Sequence, residues 1–371
     1  MTKKRNNFTL IGTENLQVLG SVKQNRSLEE WKEQVQEQSK HSRKSTKTSI
    51  IEGIFFGQAI GDALGLGTEF MSKKQVAAYY PDGYKFYNQM VQDHFRSRFE
   101  AGNWTDDTDQ FLCIVDSILA AGGVDAVAFA KELRRWFATN PQDIGTNVFR
   151  VVSRRDFEQF PFRASQAVWE ESGREAAANG ALMRTTILGA WQFWDADAVR
   201  QNTETIAKVT HWDPRCIGSC VIVTSIISTL LREGEPLSLN KILKIANRYD
   251  ERIAPFVIAA NDGNIEKLKL DEPNSIGYTL KTLSAALWAY FNVPAKHFEK
   301  GILAIINQGG DADTNAAVAG SLLGAKFGCH RIPEKLIEGL NEKALLAEKC
   351  NAFIKKMEEN QKDCLTKDYL N

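Results

Sequence analysis

Apolar residues recur at intervals of three and four along most of the chain, the period of helices that bury one face. Strand signals are few. Residues 51–65 form a run of small and apolar residues with Gly57 and Gly61 four positions apart, a spacing that lets a second helix approach closely. The same period predicts helices over 111–121, 125–138, 163–171 and 185–194, and from Pro214 to about residue 231. It continues over 238–247, 276–291, 295–306, 316–328, from Pro333, and over 345–362. The predicted fold class is therefore all-α: one large domain over 49–371, built of many helices with short connections.

Residues 1–48 break this pattern and read as an N-terminal arm rich in Lys, Asn, Gln and Ser. One piece of the arm is organised. Ser27 and Glu30 make a capping box, and Leu28, Trp31 and Val35 then fall on one face of a short amphipathic helix. That face either packs back on the main domain or docks in a partner's groove with Trp31 as anchor.

Charge sharpens the division. Residues 1–47 hold ten basic and five acidic side chains; since the whole chain is neutral, the remainder is acidic by five. A neutral total gives no basis for bulk nucleic-acid binding. Six dispersed cysteines, with no second Cys or His pair near Cys216 and Cys220, argue against zinc and fit a reducing, cytoplasmic setting. No apolar segment follows the first basic residues, and no uninterrupted apolar run appears long enough for a bilayer, so no membrane is expected.

The candidate chemistry lies in two acidic turns, Trp104-Thr105-Asp106-Asp107-Thr108 and Gly309-Gly310-Asp311-Ala312-Asp313-Thr314-Asn315. Each opens an apolar helix. A helix N-terminus explains one capping carboxylate, not two. If the two helices are neighbours, Thr105, Asp106, Asp107, Asp311, Asp313 and Thr314 converge, and four buried carboxylates would repel one another without cations. Oxygen-only donors suit a hard metal, and two divalent ions balance four charges. The residues thus predict a dinuclear hydrolase site. Glycines around Glu69 deliver it either to that site or to an exposed loop. Residues 176–184 are either a plain loop or a small-residue approach to a ligand's phosphates. His211, at a helix mouth, either caps that helix or lines a pocket.

The ordered set Gly57–Gly65, Glu69-Phe70, Trp104–Thr108, Asn179-Gly180-Ala181-Leu182-Met183-Arg184, Thr210-His211 and Gly309–Asn315 resembles the ADP-ribosylglycohydrolase family over about residues 50–340. The resemblance implies that family's compact all-α domain. It implies two Mg2+ (or Mn2+) held by Thr105, Asp106, Asp107, Asp311, Asp313 and Thr314, with Asp313 bridging. Glu69, Asp107, Asp143 and Asp313 would serve catalysis. Asn179, Gly180 and Ala181 would meet the ADP-ribose phosphates and His211 the nucleotide. The implied reaction is hydrolysis of the bond between ADP-ribose and a modified protein side chain, with arginine favoured because Asp143 can hold its guanidinium. The arm resembles the N-terminal extension of immunity-type members, which implies a second partner, an ADP-ribosyltransferase toxin. Two alternatives remain: a non-catalytic binding member, or a hydrolase of a serine-linked or small-molecule conjugate.

Overall fold

The computed structural model describes residues 28–368, with side chains described over 46–366. Contacts divide the chain into two compact units, Met1–Ser45 and Thr46–Asn371. In the first unit the described part is helical backbone from Leu28. The side chains of Leu28, Trp31 and Val35, expected to contact a partner, lie outside those described.

Among the described residues all regular structure is helical; a single isolated bridge joins Ala178 and Tyr278. The first helix runs unbroken over Leu28–Gly65, where the sequence predicts two pieces. Its Gly53, Gly57, Gly61 and Gly65 form a stripe against the helix Ala312–Phe327, which runs the opposite way. A β-carbon on Gly53 would lie 2.2 Å from the Gly324 carbonyl oxygen, and one on Gly57 2.1 Å from that of Gly320. Nothing but backbone fits between these helices. The stripe therefore sets their register, and the register brings Gly65 against Asp313.

The helix Asp106–Ala121 lies alongside and stops where Gly122 turns left-handed at φ 76°. It is seated by edge-to-face packing of Phe111 on Phe55, centroids 5.0 Å apart, with Phe353 of the closing helix Lys343–Asp368 beyond. Such aromatic pairs add directional attraction to their area burial. The helix Thr279–Asn292 completes the frame: Thr282 donates to Asn315 at 2.8 Å.

Two local expectations change. The predicted helix over 185–194 is instead one α-turn, Leu182–Thr185, followed by a 3-10 turn, Thr186–Gly189. A β-carbon on Gly189 would lie 2.6 Å from Ile227 Cβ, and the chain bends there instead of extending. The helix Pro214–Glu233 is long and apolar enough to cross a bilayer, contrary to the sequence reading, but 89% of its apolar window is buried inside the fold. Its apolar surround is the protein core.

Candidate metal centre

The site is built where three chain segments meet at helix ends. Asp62, the one charged residue in the last turns of the Leu28–Gly65 helix, is fully buried. Its Oδ1 accepts from Thr105 N and Thr105 Oγ1, both at 2.9 Å. Its Oδ2 accepts from Thr108 N at 2.9 Å and Thr108 Oγ1 at 2.6 Å. Four hydrogen bonds on one carboxylate fix the entire Thr105–Thr108 turn. Asp62, Asp107 and Asp313 carry carboxylate oxygens within 4.8 Å of one another. Because both Asp62 oxygens are already bonded, we assign it to holding the turn and leave metal contact to its neighbours. Sequence reading missed this role, although a lone aspartate in a small-residue apolar helix was its signal.

Glu69 is delivered by a second brace. Arg96, itself buried, donates Nε to Leu66 O and Gly67 O, and Nη2 to the Glu69 backbone oxygen. Phe70 follows at φ 58°, a left-handed conformation rarely taken by a bulky residue. It is held by Phe70 N donating to Gly310 O at 2.7 Å and Gly310 N donating to Met71 O at 2.8 Å. Gly309 and Gly310 both have positive φ, and added β-carbons would meet Met71 O and Leu270 O at about 2 Å. No other residue fits either position.

These braces place the expected acids together. Glu69, Asp143 and Asp313 form a second group within 4.8 Å. Thr314 Oγ1 donates to Asp107 Oδ2 at 3.3 Å, and Thr105 Oγ1, whose proton goes to Asp62, lies 3.2 Å from the same oxygen, so Asp107 sits between the two acidic turns. A cavity of about 290 Å³ opens above them, lined by Glu69, Asp106, Asp107, Asp143, Asp311, Asp313 and Thr314. Asn179, Gly180 and His211 line its far side. Thr105 and Ala181, also buried, do not reach the lining. Phe70, the segment 145–148, Met183, Ile276 and Gly277 do, and sequence reading assigned them no role.

The far wall is more constrained than a loop waiting for phosphate. Asn179 N donates to Gly277 O, and Asn179 Nδ2 donates to Asp311 Oδ2 at 2.6 Å and to Thr282 Oγ1 at 2.8 Å. Its backbone N–H is thus engaged, and its side chain orients Asp311. Gly180 lets the His211 ring lie against the backbone, where a β-carbon would be 3.0 Å from Cε1.

Electrostatically the centre is under load. Burial raises the pKa of Asp62 to about 7, its hydrogen bonds working against the rise. Burial, then Asp62 and Asp313, hold Asp107 well above the usual carboxylate range; burial, then Asp311, Asp62 and Asp143, do so for Asp313. Burial, then Asp313, Asp143 and Asp311, raise Glu69 well above its ordinary value. Asp106 is raised by burial and by Asp143. Asp107 Oδ1, Asp313 Oδ1 and Glu69 Oε2 are buried with no hydrogen-bond partner. Unsatisfied buried carboxylate oxygens are costly. An oxygen-only donor set with orphaned oxygens fits a hard divalent cation.

The family model described as ADP-ribosylglycohydrolase matches residues 43–363. A protein of Archaeoglobus fulgidus is 31% identical over 79% of this chain and 92% of its own. The ADP-ribosylarginine hydrolase Tri1 of Serratia proteamaculans is 27% identical over 78% of this chain and 74% of its own length. The ADP-ribosyl-[dinitrogen reductase] glycohydrolase of Rhodospirillum rubrum is 28% identical over 78% of this chain and 90% of its own. A solved structure titled ADP-ribosylglycohydrolase-related protein complex superposes with a TM-score of 0.64 at 24% identity, over 84% of this chain and 99% of that one. It shows the same fold.

Proposed function

The chain belongs to the ADP-ribosylglycohydrolase family, and from that premise we propose that it hydrolyses the glycosidic bond between ADP-ribose and a modified protein side chain, with arginine as the preferred acceptor. The observation that carries the chemistry is the set of orphaned carboxylate oxygens on Asp107, Asp313 and Glu69 at the floor of one cavity. Asp106, Asp107, Asp311, Asp313, Thr105 and Thr314 would hold the ions, two Mg2+ or Mn2+. Bound there, such ions would offset the buried charge, polarise ribose oxygens and orient water.

The chain's own groups divide the remaining work. Glu69, a cavity-lining residue beside Asp313 with Oε2 unpartnered, is placed to take a proton from the attacking water. The surrounding carboxylates favour the positive charge that develops on an oxocarbenium-like ribose. Asp143 sits at the cavity edge and stands ready to hold a departing guanidinium by charge-assisted hydrogen bonds. Two relatives act on ADP-ribosylarginine or on ADP-ribosylated dinitrogen reductase by their names, which supports a modified protein as substrate. The basic arm is in this scheme the contact for a second protein, an ADP-ribosyltransferase toxin, and the unpaired cysteines suit the cytoplasm.

The deciding experiment offers ADP-ribosylarginine, ADP-ribosylserine and O-acetyl-ADP-ribose peptides or conjugates with Mg2+ and measures free ADP-ribose. Release from the arginine conjugate alone is expected. Release from the serine or O-acetyl conjugate only would correct the acceptor, and release from none would leave a binding protein. Removing residues 1–48 should abolish toxin binding and spare the hydrolysis.

A further inference from the structure

Arg184 is fully buried and, among the described residues, has no carboxylate within direct reach. Its Nη1 donates to Gln110 Oε1 at 2.7 Å and its Nη2 to Thr210 Oγ1 at 2.5 Å, while its face lies 5.0 Å from the Phe129 ring centroid. A buried cation met by two neutral groups and an aromatic face, its Nε left without a partner, calls for a reason, because desolvating an unpaired charge is expensive.

Both partners lead to the cavity. Gln110 Nε2 donates to Asp106 Oδ2 at 2.8 Å. Thr210 Oγ1 lies 2.8 Å from His211 Nδ1; the opposite ring nitrogen, Nε2, is buried and unpartnered, and His211 is one of the cavity-lining residues. One continuous chain of hydrogen bonds, His211–Thr210–Arg184–Gln110–Asp106, therefore joins the two sides of the pocket.

The direction of every link follows from the donor-only guanidinium. Thr210 Oγ1 accepts from Arg184, so its single proton must go elsewhere. Among the described residues its remaining partner is His211 Nδ1. That nitrogen then accepts, and the ring proton resides on the unpartnered Nε2. On the other limb a flipped Gln110 would set N–H against N–H and carbonyl against carboxylate, so the amide has one permissible orientation. The ring stays neutral: burial and the Arg184 charge both hold His211 well below its ordinary pKa. Arg184, pulled down to about 10 by burial, remains charged at neutral pH.

We propose that Arg184 is a positioning residue that fixes His211 as an Nε2–H donor toward an oxygen of the bound ADP-ribose and, through Gln110, holds Asp106 in place for metal. The ligand assignment rests on the reading of the pocket given above; the tautomer does not.

Long-range nitrogen–proton NMR spectra of the full chain, labelled at its five histidines and assigned with His211→Gln, read the tautomer in the free protein. We expect the proton on Nε2. A proton on Nδ1 overturns the proposal without any variant or ligand. Thr210→Val should release the tautomer and weaken ADP-ribose binding about tenfold by calorimetry, the loss of roughly one buried hydrogen bond; Thr210→Ser should restore both. Unchanged tautomer and affinity in Thr210→Val would also overturn it. Gln110→Leu should weaken Mn2+ binding several-fold by electron paramagnetic resonance; unaltered Mn2+ binding removes the Asp106 limb. Failure of the native chain to bind ADP-ribose counts against the proposed function, while the tautomer measurement still judges the role of Arg184.

Discussion

A β-carbon on Gly61 would sit 2.0 Å from the carbonyl oxygen of Ala316, one residue from Asp62 and three from Asp313. Helix packing and site geometry are one constraint here, because the backbone contact sets how far apart the two carboxylates stand.

Gly61→Ala should therefore destabilise the protein by roughly 1–3 kcal/mol through overpacking. An alanine for glycine within a helix is ordinarily favourable by about 1 kcal/mol, so the reversed sign is diagnostic. Gly123→Ala, with nothing within 4 Å of its added carbon, should be near neutral. Denaturant melts of the two variants check the contrast.

Asp313→Asn removes one of several crowded charges. In EDTA its melting temperature should exceed that of the parent chain, because the buried repulsion is relieved. With Mg2+ or Mn2+ it should gain less stability than the parent, and hydrolysis should fall by at least about a hundredfold. A variant that melts lower in EDTA would contradict the charge crowding.

The metal-free protein should lose stability as pH rises. An unfolded aspartate has its ordinary pKa of 3.8, whereas folded Asp62 is at about 7 and Asp107, Asp313 and Glu69 are also raised. Between those values the folded chain binds protons that the unfolded chain has released, so the unfolding free energy declines with pH. Thermal melts in EDTA between pH 5 and about 8 should show the decline; saturating Mg2+ or Mn2+ should flatten it.

Arg96→Met leaves the carbonyl oxygens of Leu66 and Glu69 without their donor, while Gly67 O keeps the Tyr80 hydroxyl. Each unsatisfied buried acceptor costs about 1–3 kcal/mol, and relaxation recovers part of that. We expect a loss of about 3 kcal/mol in denaturant melts and a fall in kcat larger than the change in KM, because Glu69 is moved while the far wall of the cavity is not.

The helices were legible because period and small-residue spacing are local properties. Gly57 and Gly61 announced a close neighbour, and the apolar run after Asp313 supplied one. Two acidic turns at helix starts were legible for the same reason. What could not be read was which polar groups the tertiary fold would pair. Asp62 holds the Thr105 turn, Arg96 braces Glu69, and Asn179 orients Asp311 through contacts between residues 27 to 132 positions apart. Nothing in a local window encodes such a pairing. The break after Thr185 was missed because it depends on the Gly189 contact with Ile227.

The glycine stripe also fixes an order of events. Synthesis runs from Gly53 toward Gly324, so the Leu28–Gly65 helix emerges from the ribosome with its bare backbone face uncovered, and its cover arrives some 250 residues later. Asp62 and Asp107 wait through the same interval for Asp313. The acidic cluster is therefore complete only on a chain that is nearly finished, and any ion it takes would find its full set of oxygens only then.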